Sequence, residues 1–386
     1  MIKTDICIIG SGPSGVSTSI MLSKMNISHY IIDKANFPRD KTCGDGLILY
    51  AYKAMLELDK DLFHSFLKNP KFIHSKKIQL FINNNLNINF QESKDREMVI
   101  SYAKRYDFDD FLVQNLSEKY ANKEFGNGVK NLTEQKDGIL IKLKNNKEIL
   151  AKVVVGADGA KSIVSRKLAG NKINKKLSST FISAYFNDVI HLLKDNNAEI
   201  RIIYKKIPLY FYIFPLADGS ANVTLGGRAD LILKHNINLV EEIESIIANH
   251  SKVSHKFKKA KKNGSWRGWS IPYNFGSNKV CGNRFLLVGD AAGLTNAFYK
   301  EGVGTGMMSG IICAKKLVQC LEKNIFSEKY LSSYQKDLEK EFSKLLKFSR
   351  LMSKLANHRY LFSRIVYLFK NQVERKSFNI IKRRSY

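Results

Sequence analysis

An α/β fold is predicted by three observations. It has a dinucleotide-binding βα unit at its head, an antiparallel β-sheet in a second domain and a helical C-terminal region. The first observation is the apolar run Asp5-Ile6-Cys7-Ile8-Ile9, which leads directly into Gly10-Ser11-Gly12-Pro13-Ser14-Gly15 and then into a helical stretch from Val16 to Lys24. Strand, G-x-G-x-x-G and helix in that order make a glycine-rich turn a dinucleotide site. The second is a pair of buried-strand patterns that end in a carboxylate. Val153-Val154-Val155 runs into Gly156-Ala157-Asp158-Gly159, and Phe285-Leu286-Leu287-Val288 runs into Gly289-Asp290. Such a strand delivers its acid to the carboxyl edge of a parallel sheet, where open α/β sheets bind ligands. The third is a change of rhythm: from Ser178 to Phe275 the βα pattern stops, and segments rich in Ile, Tyr and Phe alternate with turns. That pattern is an antiparallel sheet laid over the first domain.

Within the opening turn the glycines divide the work. Gly10 permits the tight turn, Gly12 lets the backbone approach a pyrophosphate, and Gly15 lets helix and strand pack closely. The helix N-terminus adds unpaired N–H groups and a positive dipole end. A second strand, His29-Tyr30-Ile31-Ile32, ends in Asp33, at the distance where an acid binds a ribose hydroxyl.

The 386 residues suffice for about two domains and a large core. Basic residues outnumber acidic ones 63 to 35, a formal charge of +28. That excess suits an anionic partner, nucleic acid or an acidic membrane surface, and equally suits a lysine-rich composition spread over a solvated surface. The five cysteines, Cys7, Cys43, Cys281, Cys313 and Cys320, include no C-x-x-C, which argues against a disulfide framework or a zinc site and for a reducing compartment. With a strand starting almost at Met1 there is no room for a signal peptide, and no run of eighteen apolar residues predicts a spanning helix. A cytoplasmic protein is expected, with room for a peripheral place on the inner face of the membrane.

Past Asp33 comes Phe37-Pro38-Arg39-Asp40-Lys41-Thr42-Cys43-Gly44-Asp45-Gly46-Leu47, with a helical pattern from Leu47 to Leu58. This run resembles the P-R-x-K-x-C-G-x-G segment of geranylgeranyl reductases and related prenyl-chain reductases, FAD-dependent proteins of the p-hydroxybenzoate hydroxylase fold. The resemblance implies that Cys43, Gly44 and Gly46 lie at the isoalloxazine ring. It leaves Cys43 as a candidate catalytic group or as a small buried residue. Lys76 to Phe90 reads as two strands around Asn83-Asn84-Asn85. Arg105-Tyr106-Asp107-Phe108-Asp109 with Leu112 is similar to the family's R-x-x-F-D-x-x-L element, whose Arg reaches FAD, and Val129 aligns where the family's backbone meets the adenine. Gly156 to Ser162 is similar to its G-A-D-G-x-x-S element, and Gly289-Asp290 to the Gly-Asp pair whose acid accepts ribityl hydroxyls. Glu301-Gly302-Val303 opens a long helix that presents its N–H groups to the flavin.

The FAD-binding set implied by the resemblance is therefore Gly10, Gly12, Ser14, Gly15, Asp33, Lys34, Cys43, Gly44, Gly46, Arg105, Val129, Asp158, Asp290, Gly302 and Val303. No metal site is implied. The family's Y-x-W-x-F-P stands here as Tyr210-Phe211-Tyr212-Ile213-Phe214-Pro215, with Tyr212 in place of Trp, and Asn296-Ala297-Phe298 stands where Asn-Pro-Phe is usual. These aromatics serve either as plain sheet core or as the wall of an apolar tunnel in which the hydroxyl of Tyr210 or Tyr212 acts catalytically.

The expected organisation is a discontinuous FAD-binding domain (1–75, 95–177 and 279–322), a substrate domain (76–94 and 178–278) and a C-terminal helical region (323–386). In that last region Leu351, Leu355, Phe362, Val366 and Phe369 recur at helical spacing between Arg359, Arg364 and Lys370, and Lys382-Arg383-Arg384 stands near the end. The helix either packs on the protein or lies on a membrane. The expected activity is reduction of carbon–carbon double bonds in a prenyl chain by hydride from reduced FAD. The expected partner is a prenylated lipid or another apolar small molecule, with anionic membrane as a peripheral contact and no nucleic acid. The electron donor is open between NAD(P)H, a ferredoxin and a quinol, since no second G-x-G-x-x-G occurs. The alternatives are a flavin monooxygenase acting on a small aromatic, and a basic membrane- or nucleic-acid-binding protein without catalysis.

Overall fold

The computed structural model describes residues 1–82, 86–91, 100–190 and 197–369. Asn83-Asn84-Asn85, Lys370 and Lys382-Arg383-Arg384 lie outside the described residues. Two sheets organise the chain. In the first the strands follow the order Cys281–Gly282, Phe285–Leu287, Glu148–Gly156, Ile2–Ile9, His29–Ile32 and Ala121–Glu124. From Phe285–Leu287 to Ala121–Glu124 all neighbours are parallel, and a hairpin of Val129–Gln135 and Gly138–Leu143 runs antiparallel onto Glu148–Gly156. Ile6, Cys7, Ile8, Val153, Val154 and Val155 are wholly buried, as a parallel sheet covered on both faces requires. The register places Ile9 beside both Ile32 and Gly156, and Gly156 beside Leu287. Gly10, Asp33, Asp158 and Asp290 therefore leave the sheet at one common edge, although they are scattered over most of the chain.

The second sheet has seven strands, in the order Lys261–Pro272, Ser178–Asn187, Ala221–Arg228, Pro208–Pro215, Ala198–Tyr204, Lys77–Ile82 and Leu86–Gln91. It differs from a purely antiparallel sheet at one place: Ala198–Tyr204 and Lys77–Ile82 run parallel. The cause is that the Lys77–Ile82 hairpin comes from far upstream and adds to the sheet edge. Side chains alternate across Pro208–Pro215 with period two. Tyr210, Tyr212 and Phe214 face a cluster that includes Phe181, Phe298 and Tyr102, while Leu209, Phe211 and Ile213 face Ile243, Ile246 and Phe257 on the other side. One face is therefore plain sheet core, and the other carries Tyr210, Tyr212 and Phe214.

Two local expectations need correction. Leu47 does not start the helix: Gly46–Ile48 is a short strand paired with Ile100–Tyr102, and the helix is Leu49–Leu58. In the C-terminal region the helices are Glu328–Leu355 and Arg359–Leu368. Their inward positions include Leu338, Phe342, Leu346, Phe362 and Val366, whereas Leu351 and Phe369 are about half exposed, at 53% and 47%. A period of 3.6 marks a stripe without saying which side it faces. Among the described residues no helix is long and apolar enough to cross a membrane.

Candidate functional site

The glycine-rich turn is held by steric necessity. Gly10 has φ +105°, donates its N–H to Ile32 O at 2.7 Å, and a Cβ there would lie 2.4 Å from Ala157 O. A Cβ on Gly15 would lie 1.9 Å from Gly10 O. Gly12 is different: it caps the helix Pro13–Lys24, and a Cβ there would meet only the Arg39 guanidinium at 3.5 Å. Backbone closeness thus fixes Gly10 and Gly15, while Gly12 stands at an open face beside a cation. Asp33 is more constrained than the sequence suggests. Its Oδ2 accepts from Ser11 N at 2.7 Å and its Oδ1 from Ala35 N at 3.0 Å. The carboxylate locks the turn, and each oxygen keeps a lone pair for a further donor.

Asp158 divides its two oxygens. Oδ2 accepts from Ile163 N at 2.6 Å, and Oδ1 is buried with no partner; burial raises its pKa above the ordinary carboxylate value. An orphaned acceptor at a sheet edge is costly unless a ligand donates to it. Asp290 Oδ1 accepts from the Thr295 hydroxyl at 3.0 Å, and a Cβ on Gly302 would lie 2.7 Å from Thr295 Oγ1 and 3.2 Å from that carboxylate. Only glycine fits ahead of the helix Val303–Lys323. Arg105 is buried and forks onto Asp109, with Nη2 2.7 Å from Oδ2, and Arg39 reaches the same oxygen at 3.0 Å. One carboxylate therefore holds two guanidiniums beside the turn, a ready site for a pyrophosphate.

These groups border a cavity of about 590 Å³ that runs along the sheet edge. Gly10, Gly12, Ser14, Asp33, Lys34, Cys43, Arg105, Val129, Asp158, Asp290, Gly302 and Val303 line it. Gly15 does not, because its place is the helix–strand contact. Gly44 and Gly46 face a second cavity of about 170 Å³, where a Cβ on Gly46 would press on the Phe214 ring at 2.9 Å.

The second cavity is lined by Ile78, Leu80, Ile200 and Ile202 and by Phe181, Tyr210, Tyr212, Phe214, Trp269 and Phe298. Tyr212 stacks between Phe181 (6.0 Å between centroids, 15°) and Phe214 (5.4 Å, 9°). The Tyr210 hydroxyl is buried and meets no partner within hydrogen-bond distance and angle; burial pushes its pKa up more than the neighbouring Ser353 side chain brings it down, so it keeps its proton. Cys43, Trp269, Ile271, Lys300, Gly302 and Val303 border both cavities. An apolar chamber therefore opens onto the dinucleotide cavity across a seam of six residues.

Sequence reasoning missed four groups at this seam. Asp45, at φ +63°, is buried, and its carboxylate accepts from Asn222 Nδ2 (2.7 Å), Tyr185 OH (2.9 Å) and Arg105 N (3.3 Å). Burial raises its pKa to about 7 against those donors. Asn222, from the second sheet, also donates to Cys43 O at 2.8 Å. Lys300, at φ +61°, sets its ammonium over the rings of Tyr210 and Tyr273 at 5.1 and 5.0 Å, and burial, with Arg228 nearby, lowers its pKa to about 7. Glu301 is buried and raised to about 7, although it accepts from Gly304 N at 2.6 Å. A left-handed backbone leaves no mark at Lys300. Asp45, Arg39 and Glu301 stood inside quoted motifs without being assigned to the site.

Comparison with known proteins places this geometry. The sequence matches the family described as FAD binding domain over residues 3–349. It is 24% identical over 361 residues to a digeranylgeranylglycerophospholipid reductase of Methanosphaera stadtmanae, covering 89% of this chain and 85% of that one. It is 23% identical over 318 residues to a menaquinone reductase of Mycolicibacterium smegmatis, covering 81% and 76%. A solved structure of a geranylgeranyl bacteriochlorophyll reductase-like protein from Thermoplasma acidophilum superposes with a TM-score of 0.81 at 20% identity, over 94% of this chain and 90% of that one, and so shares the fold. The orphaned Asp158 oxygen, the Gly302 contact and the paired guanidiniums suit FAD, and the chain, an FAD-dependent oxidoreductase similar to proteins named geranylgeranyl reductases, belongs to the FAD binding domain family.

Proposed function

We propose that the protein saturates carbon–carbon double bonds of a prenyl chain. The observation that carries this reading is the aromatic and aliphatic chamber that shares six residues with the dinucleotide cavity. An isoprenoid segment offers only apolar surface, and this chamber takes apolar surface out of water. FAD, when bound and reduced, supplies the hydride for one alkene carbon. Gly10, Gly12, Ser14, Asp33 and Lys34 would hold it at the adenosine and pyrophosphate end with Arg105 and Val129. Asp158, Asp290, Gly302, Val303 and Cys43 would hold it toward the ring. Trp269, Ile271 and Tyr212 orient the alkene and keep water away, which favours a single productive pose. Tyr210 Oη carries the proton for the neighbouring carbon: the hydroxyl is enclosed, protonated and without another partner. Because the substrate is a lipid, the proposal places the protein at a membrane surface.

The test is anaerobic. Purified protein is reduced until its flavin band bleaches, and a geranylgeranyl lipid is then added. The expected result is return of the oxidised band without oxygen, with two hydrogens gained per double bond by mass spectrometry. Reoxidation only on admission of air, with the lipid unchanged, overturns the reading and points to oxygen chemistry.

A further inference from the structure

The C-terminal helical pair is apolar on both sides. Its inward side is accounted for: Phe362 packs on Phe298, a wall of the small chamber, with centroids 5.9 Å apart, and Tyr204 OH donates to Ala356 O at 2.8 Å. The outward side should be polar in a helix that only packs. Instead Tyr360, Leu361, Tyr367 and Leu368 are exposed at i, i+1, i+7 and i+8, with Phe348 and Leu351 exposed on the helix before. Of the fifteen large hydrophobic side chains exposed among the described residues, seven lie between Phe348 and Phe369. Single exposed apolar groups are ordinary, and a concentration of them marks a contact surface.

Charge selects the occupant. Lys344, Lys347, Lys354, Arg359 and Arg364 are exposed on the same stretch, and no Asp or Glu occurs from Phe342 to Phe369. A second copy docking here by two-fold symmetry would set these five cations against five more. Nucleic acid would answer the cations and leave the leucines unpaired. An anionic bilayer answers both, since cations meet headgroups while Leu, Tyr and Phe enter the interface. We propose that the outward face from Lys344 to Phe369 docks on an anionic lipid bilayer and brings the chamber behind Phe298 and Phe362 against it. The purpose of such docking, delivery of a prenyl lipid, rests on the reductase reading, whereas the docking itself rests on the surface.

The test uses the full chain and vesicles of phosphatidylcholine, alone or mixed with phosphatidylglycerol. The wild type is expected to sediment with the mixed vesicles and to be released by salt. A Leu361→Ser/Leu368→Ser variant and a Lys347→Glu/Arg364→Glu variant should each lose roughly tenfold or more in partitioning, at about 1 kcal/mol per charge near the surface and more for a buried leucine. Both should melt as the wild type does and reduce a short, detergent-dispersed prenyl alcohol at the wild-type rate. If vesicle binding follows this pattern while no form reduces that alcohol, the docking surface stands and the reductase reading falls. A wild type that ignores mixed vesicles overturns the proposal, as do variants that bind like it. So does a lipid-free dimer that the same substitutions split, which would make the face a self-association surface.

Discussion

Replacing Gly310 with alanine tests how the cofactor site is held, because the sign of its effect is set by geometry. The helix Val303–Lys323 crosses the helix Pro13–Lys24 at this residue, and a Cβ on Gly310 would lie 2.3 Å from Ser14 O, 2.8 Å from Thr18 Oγ1 and 3.0 Å from Thr18 N. Two of these atoms are backbone, and the third already donates to Ser14 O at 2.8 Å. Relief therefore requires the helices to part by about 1 Å, an overpacking cost of about 1–3 kcal/mol. Alanine returns about 1 kcal/mol of helix propensity. The net expectation is a loss of up to about 2 kcal/mol and a fall of up to roughly 2–3 °C in Tm. Because Ser14 Oγ stands 2.8 Å from where a Gly289 Cβ would be, parting the helices also shifts the glycine-rich turn against Asp290. FAD affinity, read by titrating apoprotein and following flavin fluorescence, should fall by about tenfold. A variant that melts higher than wild type and binds FAD unchanged would refute the close crossing.

Tyr210→Phe removes the buried hydroxyl that has no partner. The variant should gain about 1 kcal/mol or more in thermal unfolding while alkene reduction slows by roughly 10²-fold or more; a destabilised variant would mean that the hydroxyl is satisfied in the fold. Lys300→Gly relieves the left-handed backbone and removes a half-buried ammonium that donates to Ala297 O, so it should melt higher than wild type, most clearly below pH 7. With its folded pKa lowered to about 7, Lys300 is neutral in the fold while still protonated when unfolded, and the wild type should close the gap as pH rises from about 7 toward 10.5. Melting curves in which the gap is independent of pH would show the ammonium to be solvated. Glu301 runs the other way: its folded pKa is raised to about 7, so its contribution is full below its unfolded value and is lost as pH rises through 7. Glu301→Gln should match wild type in acid and melt higher above pH 7; equal melting at pH 8 would contradict a buried carboxylate.

The dinucleotide half was legible because its signals are local. The positive φ of Gly10 and the contact of Gly15 with Gly10 O are constraints that act within a few residues of chain, and the valine strand before Asp158 is apolar because both its faces are covered. The order of the motifs along the chain also anticipated their meeting, since parallel strands in register bring their carboxyl ends to one edge. The chamber was legible only in half. Period-two alternation at Pro208–Pro215 shows two faces, but which face meets the cavity depends on the packing of Phe181 and Phe298, both distant in sequence. The exposed side of Arg359–Leu368 was hidden for a related reason: residues at 3.6-residue spacing mark two apolar sides equally, and only the contact of Phe362 with Phe298 decides which is inward.

Asp45 explains why the two cavities behave as one site. Its carboxylate takes donors from both sides of the seam: Asn222 and Tyr185 from the second sheet, and the Arg105 backbone from the helix that carries the guanidinium. Asn222 reinforces the link by donating to the carbonyl of Cys43, which borders both cavities. All these partners donate, so they favour the ionised acid, while burial opposes it and leaves the pKa near 7. A group so balanced holds the seam most firmly when it is charged. Asn222 thereby ties the second sheet to the Cys43 loop, and the Arg105 backbone ties the same carboxylate to the helix beside the cofactor cavity. The seam is thus held by a carboxylate that stands between the two glycines of the Cys43–Gly46 run and lines the chamber itself.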